Sequence, residues 1–210
     1  IRRINMTSSI ITTVAGVGYA AYTGDSASCS TGTALNFPGI IDMDRKNNLL
    51  FIPDTVNNVI RVVDLNTMAI DTYCGLFNTS TPLRNFTCPA AVLKEPAVVR
   101  VTEDSVYFSE PLNHVIRRIE RFSLKLSTAV GNLGISGYTR DGLSPKETLL
   151  YRPKFFEVDE RTQIMYILSF CTIRRYHMRQ KATKQRVVSA GPLMTPLKNY
   201  LLKIIEYNIS

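Results

Sequence analysis

Val59-Ile60-Arg61-Val62-Val63-Asp64 decides the fold, because the chain repeats it. Related stretches are Ile1-Arg2-Arg3-Ile4-Asn5, Ile116-Arg117-Arg118-Ile119-Glu120 and Ile173-Arg174-Arg175-Tyr176-His177. The anchor isoleucines lie 59, 56 and 57 residues apart. A recurring period of this size identifies the unit of folding before any local propensity is weighed.

Each unit holds four short apolar runs. In the copy from Pro38 to Gly75 these are Gly39 to Asp44, Asn48 to Asp54, Val59 to Leu65 and Ala69 to Gly75. The runs are rich in Val, Ile, Phe and Tyr and are bounded by turn residues, so they predict strands. The next copies predict strands at Ala97 to Val101, Ser105 to Glu110, Val115 to Glu120 and Leu126 to Gly131. They then predict Phe155 to Asp159, Gln163 to Ser169, Thr172 to Tyr176 and Arg186 to Gly191. A glycine closes the fourth strand 15 residues after the anchor at Gly16, Gly75 and Gly131. Leu35-x-x-Pro38, Leu93-x-x-Pro96 and Leu150-x-x-Pro153 introduce each new unit. Four strands per unit, repeated in tandem, is the plan of a β-propeller blade.

Thr13-Val14-Ala15-Gly16-Val17-Gly18, Tyr22-Thr23-Gly24-Asp25 and Phe51-Ile52-Pro53-Asp54-Thr55-Val56-Asn57-Asn58-Val59-Ile60-Arg61 together resemble the long type of NHL repeat. Gly137 to Gly142 and Glu110 to Arg117 repeat the two parts. The resemblance implies an all-β propeller of four-stranded antiparallel blades. Its expected segments are a partial blade at 1–16, blades at 38–75, 96–131 and 153–191, and a partial blade at 198–210. Further blades, in the same protein or a partner chain, are expected, since closed propellers use about 4–8. A small four-bladed ring is the alternative. The repeat departs from its pattern in the loop Leu76 to Cys88, which lacks Gly-Asp, and in Ile167 to Ile173, which is shortened before Ile-Arg.

The chain has 210 residues and a net charge of +8, and no run of 18 apolar residues. A membrane span is therefore not expected. Basic residues cluster at Arg174, Arg175, Arg179, Lys181, Lys184 and Arg186. Such a patch suits nucleic acid, an acidic glycan or an acidic protein, or simply keeps a hairpin solvated. The patch lacks aromatics for base stacking, which disfavours nucleic acid. Sequons at Asn5, Asn78, Asn85 and Asn208 are candidate glycosylation sites. Four cysteines allow three pairings. Cys74 and Cys88 flank the loop that carries two of the sequons, so a bridge there is one expectation, and incidental buried thiols are the other. Sequons and bridge together point to an extracellular or luminal setting, with the cytoplasm as the alternative.

Catalytic patterns are absent from the sequence. The segment has two histidines, His114 and His177, each beside an Ile-Arg repeat. The histidine-rich zinc centre of the peptide-amidating lyase, which is built on a similar propeller, is not supplied. No metal site or cofactor is expected, and the segment is read as non-enzymatic. An enzyme whose active residues come from other blades is a further alternative. Asp25 and Asp141 sit in similar loops and invite a calcium site, but one carboxylate per loop is thin for that ion. The repeated Arg61, Arg117 and Arg174 read as scaffold, bonding the acid or the turn of the preceding strand, as Asp54 and Glu110 allow. Function is assigned to the loops joining one blade to the next, Tyr22 to Asp25, Leu76 to Cys88 and Gly137 to Gly142, because loops on rigid scaffolds carry recognition. Tyr22, Asp25, Tyr138, Arg140 and Asp141 are the candidate contacts with a protein or glycan. RNA or another polyanion on a basic face is the alternative partner.

Overall fold

The computed structural model describes residues 1–26, 28, 32–77, 88 and 91–178. All of these residues fall within one compact unit, and their strands build four antiparallel sheets. The first sheet pairs β1 (Arg2–Ile4) with β2 (Ile11–Thr13). The second runs β3 (Asp42–Asp44), β4 (Leu49–Asp54), β5 (Val59–Asp64), β6 (Ala69–Cys74) in that order. The third runs β7 (Val99–Val101), β8 (Ser105–Glu110), β9 (Val115–Glu120), β10 (Leu126–Val130). The fourth holds β11 (Phe155–Asp159), β12 (Ile164–Ser169) and β13 (Thr172–His177). The strands expected at Arg186 to Gly191 and within 198–210 lie outside the described residues.

Turn chemistry explains why each strand stops where it does. In six hairpins an acid ends one strand, and the residue four places on takes a left-handed φ before the next begins. The pairs are Asp44 and Asn48, Asp54 and Asn58, Asp64 and Met68, Glu110 and His114, Glu120 and Leu124, and Asp159 and Gln163. The Asp44 and Asp64 carboxylates accept backbone N–H groups from the turn they open, Lys46 and Asn47 in one case, Asn66 and Thr67 in the other. Asp159 does the same with Thr162. These local bonds hold the Asp64 and Asp159 carboxyls below their ordinary range. The turn between β12 and β13 is shorter, with Phe170 in the left-handed region.

In the units that start at Pro38 and Pro96 the first and second strands pair over fewer residues than the sequence predicts, whereas Phe155 to Asp159 pairs in full. β3 begins at Asp42 rather than Gly39, because Ile40 leaves its own sheet to bridge Val98 of the next, although Gly39 N–H still bonds Pro53 O of β4. Ile40 N–H donates to Ala97 O, and Val99 N–H donates to Ile40 O. Inner strands of neighbouring sheets are stitched together by backbone.

Strand residues alternate between two interfaces, as a period of two requires. Leu50 and Ile52 of β4 pack with Val14, Ala15 and Leu35 on one side. Phe51, between them, packs with Val99, Val106, Phe108 and Ile119 of the next sheet on the other. Val98, Tyr107, Ile116 and Val130 then meet Leu150, Phe156, Met165 and Ile167. The core is thus a series of layers between sheets, which is the architecture of consecutive β-propeller blades.

Candidate functional site

The loop 22–25 is built around Arg61. The Arg61 side chain is wholly buried, and its Nη2 donates to Gly24 O at 2.7 Å and to Asp25 Oδ1 at 3.2 Å. Its guanidinium lies 5.1 Å from the Tyr22 ring centre, close enough for a cation–π contact. Thr72 Oγ1 donates to Asp25 at 2.9 Å and shares a 3.1 Å hydrogen bond with Tyr22 Oη. On the other side, Asp54 Oδ2 stands 3.7 Å from Nη1. The Asp54 carboxylate accepts closer bonds from Asn36 N–H at 2.7 Å and Asn57 Nδ2 at 2.8 Å. The expectation that Arg61 bonds the acid of the preceding strand is therefore incomplete. Its hydrogen bonds go to the inter-blade loop, and Asp54 supplies an ion-pair contact.

The loop 138–141 repeats this plan around Arg174. Nη2 donates to Thr139 O at 2.9 Å and to Asp141 Oδ1 at 3.1 Å, and the guanidinium lies 5.2 Å from the Tyr138 ring centre. Here the ends face water, since Tyr138 is 69% exposed and the Asp141 side chain 64% exposed. Arg140 is also exposed, with its carbonyl accepting from Arg174. Arg117 keeps the other half of the pattern, ion-pairing with buried Glu110 at 3.2 Å. The loop before it lacks Gly-Asp, and Ser169 stands where Asp54 and Glu110 stand in the other sheets. Of Arg61, Arg117 and Arg174, Arg61 alone meets both acids among the described residues.

The structure thus assigns Tyr22, Asp25 and Asp141 to holding their loops in shape, and leaves Tyr138 and Arg140 facing outward. Arg174 is turned into this clamp rather than into a free basic patch, while Arg175 is exposed. Arg179, Lys181, Lys184 and Arg186 lie outside the described residues, as do Asn78, Asn85 and Asn208. Asn5 is exposed, and its Oδ1 accepts Thr7 N–H and Ser8 N–H.

Cys74 and Cys88 are joined by a disulfide, with their Cα atoms 4.6 Å apart. Both are buried. Phe77, inside the loop that the bridge closes, stacks on Tyr22 with ring centres 3.9 Å apart, so two neighbouring inter-blade loops touch.

His114 has a scaffold role that sequence reading left undefined. Its Nδ1 accepts Arg152 N–H at 3.2 Å, across a blade junction. Asn58 does the same one unit earlier, its Oδ1 accepting Glu95 N–H at 2.8 Å. Among the described residues no group of three or more His, Cys, Asp or Glu side chains could hold a metal ion. No helix among them is long and apolar enough to cross a membrane.

No protein-family model matches the chain. NHL repeat-containing protein 2 from Gallus gallus is 28% identical over 108 residues, which is 51% of this chain and 14% of that protein. A Bacteroides thetaiotaomicron protein of unknown function shares the fold with a TM-score of 0.62 at 14% identity, over 83% of this chain and 40% of its own. A protein of the same organism described as an auxiliary nutrient binding protein gives a TM-score of 0.52 at 18% identity, over 79% of this chain and 39% of its own. The chain spans well under half the length of each. These likenesses support a resemblance to the NHL-repeat proteins and a propeller fold.

Proposed function

We propose that this NHL-like propeller segment is a non-enzymatic interaction module that binds a protein or glycan on the face carrying its inter-blade loops. In this reading 38–75, 96–131 and 153–191 are successive blades, and 1–16 and 198–210 belong to two more. The observation that carries it is the pair of arginine clamps. A buried arginine and a half-buried one fix the backbones of two loops at equivalent places, and one of those loops presents Tyr138 and Arg140 to solvent. A loop ordered in advance binds with less entropy to lose. The description of a fold neighbour as nutrient-binding is in keeping with a binding role for this architecture. The Cys74–Cys88 bridge favours an oxidising compartment.

The test is retention of the full chain on arrays of purified ectodomains and glycans, comparing wild type with Tyr138→Ala and Arg140→Ala. A ligand that releases both variants, while their thermal unfolding stays unchanged, supports the reading. Ligands indifferent to both variants overturn this placement of the site.

A further inference from the structure

The unit that departs most from the repeat also exposes an aromatic ledge. The Tyr151 and Phe170 rings meet edge to face, 5.4 Å apart at 74°, and the His114 ring lies 5.8 Å from Tyr151 on the other side. Tyr151 is 43% exposed and Phe170 74% exposed. Water-facing aromatics that touch one another form a patch that ordinarily has a partner.

Several bonds hold the ledge in place. Ser169 Oγ accepts Tyr151 N–H at 2.9 Å and donates to Tyr151 O at 3.3 Å. Arg152 N–H is held by His114 Nδ1. Arg152 takes φ 43° before Pro153, as Phe37 and Glu95 take φ 50° and 46° before Pro38 and Pro96, and Phe170, peculiar to this unit, takes φ 53°. Such backbone states cost free energy and persist where the surroundings enforce them. The repeat elsewhere places a buried acid where Ser169 stands and a longer turn where Phe170 stands. Both departures coincide at this one spot.

Two exposed cations adjoin the ledge: Arg152, whose N–H meets the His114 ring, and Lys94, whose N–H meets the Glu110 carboxylate of the same turn. The acid of the same turn, Glu110, is buried and occupied by Lys94 N–H, Asn113 and Arg117. We infer that His114, Tyr151 and Phe170, flanked by Arg152 and Lys94, form a binding site for an acidic carbohydrate. The apolar C–H face of a sugar ring stacks on one aromatic face, and a uronate carboxylate meets the guanidinium in a bidentate pair. A run of stacked nucleobases instead calls for an aromatic platform for each successive base, whereas these rings stand edge to face. The turns between second and third strands share a face with the inter-blade loops, as the Gly134 N–H bond to Asn113 O records. The inference therefore rests on the binding face proposed above and gives it a ligand class.

The test is titration calorimetry of the full chain with a hyaluronan hexasaccharide, a neutral chitin hexasaccharide, a single-stranded RNA hexamer and a hexa-aspartate peptide. The uronate sugar binds, and the other three bind at least tenfold more weakly. Phe170→Asn keeps a residue that tolerates the left-handed turn, and Arg152→Asn does likewise. Each weakens uronate binding about tenfold, as loss of one aromatic or charge-assisted contact predicts. Arg175→Ala, an exposed cation off the ledge, changes nothing. No binding of the uronate sugar, equal binding of the neutral sugar, tighter binding of RNA or peptide, or indifference to both ledge variants overturns the inference. If Tyr138→Ala and Arg140→Ala abolish binding while the ledge variants do not, the ledge fails and the loop-face reading survives. If neither pair matters to any ligand, both fail.

Discussion

Arg61 hydrogen-bonds Asp25, 36 positions earlier in the chain, with the whole arginine side chain out of contact with water. A charge in that position is tolerable only while its partners are present, so the pair is a structural commitment of the second sheet. Arg61→Met leaves Asp25 and Asp54 without their cation and is expected to destabilise by roughly 3–5 kcal/mol. Arg174→Met should cost about 1 kcal/mol, because Asp141 keeps its water. Urea midpoints of the two variants check the ranking. Equal losses would mean that burial does not set the cost.

That asymmetry also shows what the sequence could and could not reveal. The acid-to-left-handed spacing of each hairpin is local, so the strands and their order were legible from residues such as Asp64 and Asn48. The Ile-Arg anchors disclosed the period. Contacts between units are non-local, and they set the site. Nothing near Arg61 in sequence points to Gly24 and Asp25. A signal did exist: Tyr-Thr-x-Asp loops, Tyr22 to Asp25 and Tyr138 to Asp141, precede Arg61 and Arg174, whereas Arg117 follows a loop without one. The ledge was harder to foresee. Shortening before Ile173 was visible, but that it would set Phe170 against Tyr151 depends on how one blade meets the next.

Gly75 and Gly131 close equivalent strands with φ of +105° and +100°. A Cβ on Gly75 would stand 2.7 Å from Asn58 O, and one on Gly131 2.6 Å from His114 O. Both obstacles are backbone of the turn before the third strand, which cannot swing aside. Gly75→Ala and Gly131→Ala should each cost more than about 2 kcal/mol, the strain of a non-glycine residue at positive φ plus the clash. Gly18→Ala, where φ is +91° and a Cβ would meet nothing within 4 Å, should cost about 1 kcal/mol. Thermal melts of the three variants measure the difference. A Gly18 variant as damaged as the others would show that φ alone matters.

The Cys74–Cys88 bridge closes a separation of 14 residues. Chain-entropy arguments give about 3 kcal/mol for a loop of that size. The paired variant Cys74→Ser with Cys88→Ser should therefore unfold at lower urea by that amount, allowing for buried hydroxyls in place of sulfur. Reduction of the native chain by an added thiol should add two hydrogen atoms to the peptide that spans both cysteines, read by mass. Two free thiols in protein from its natural source would remove the main structural argument for an oxidising compartment.

His114 and Asn58 perform the same task with different chemistry, and only one of them titrates. Burial first, then the charges of Arg152 and Lys94, pull the imidazole below its ordinary 6.5. A protonated ring has no lone pair at Nδ1 to accept Arg152 N–H. The folded chain thus resists a proton that the unfolded chain takes up, so the contribution is complete above about 6.5 and is lost as pH falls through the lower folded value. The loss should be on the order of 1 kcal/mol, the net worth of one hydrogen bond. His114→Asn copies the residue the preceding unit already uses and tolerates the same left-handed turn. Its urea midpoint relative to wild type should rise between pH 7 and pH 5 as the wild-type clasp opens. A constant difference across that interval would show that the imidazole holds the Arg152 backbone in either charge state.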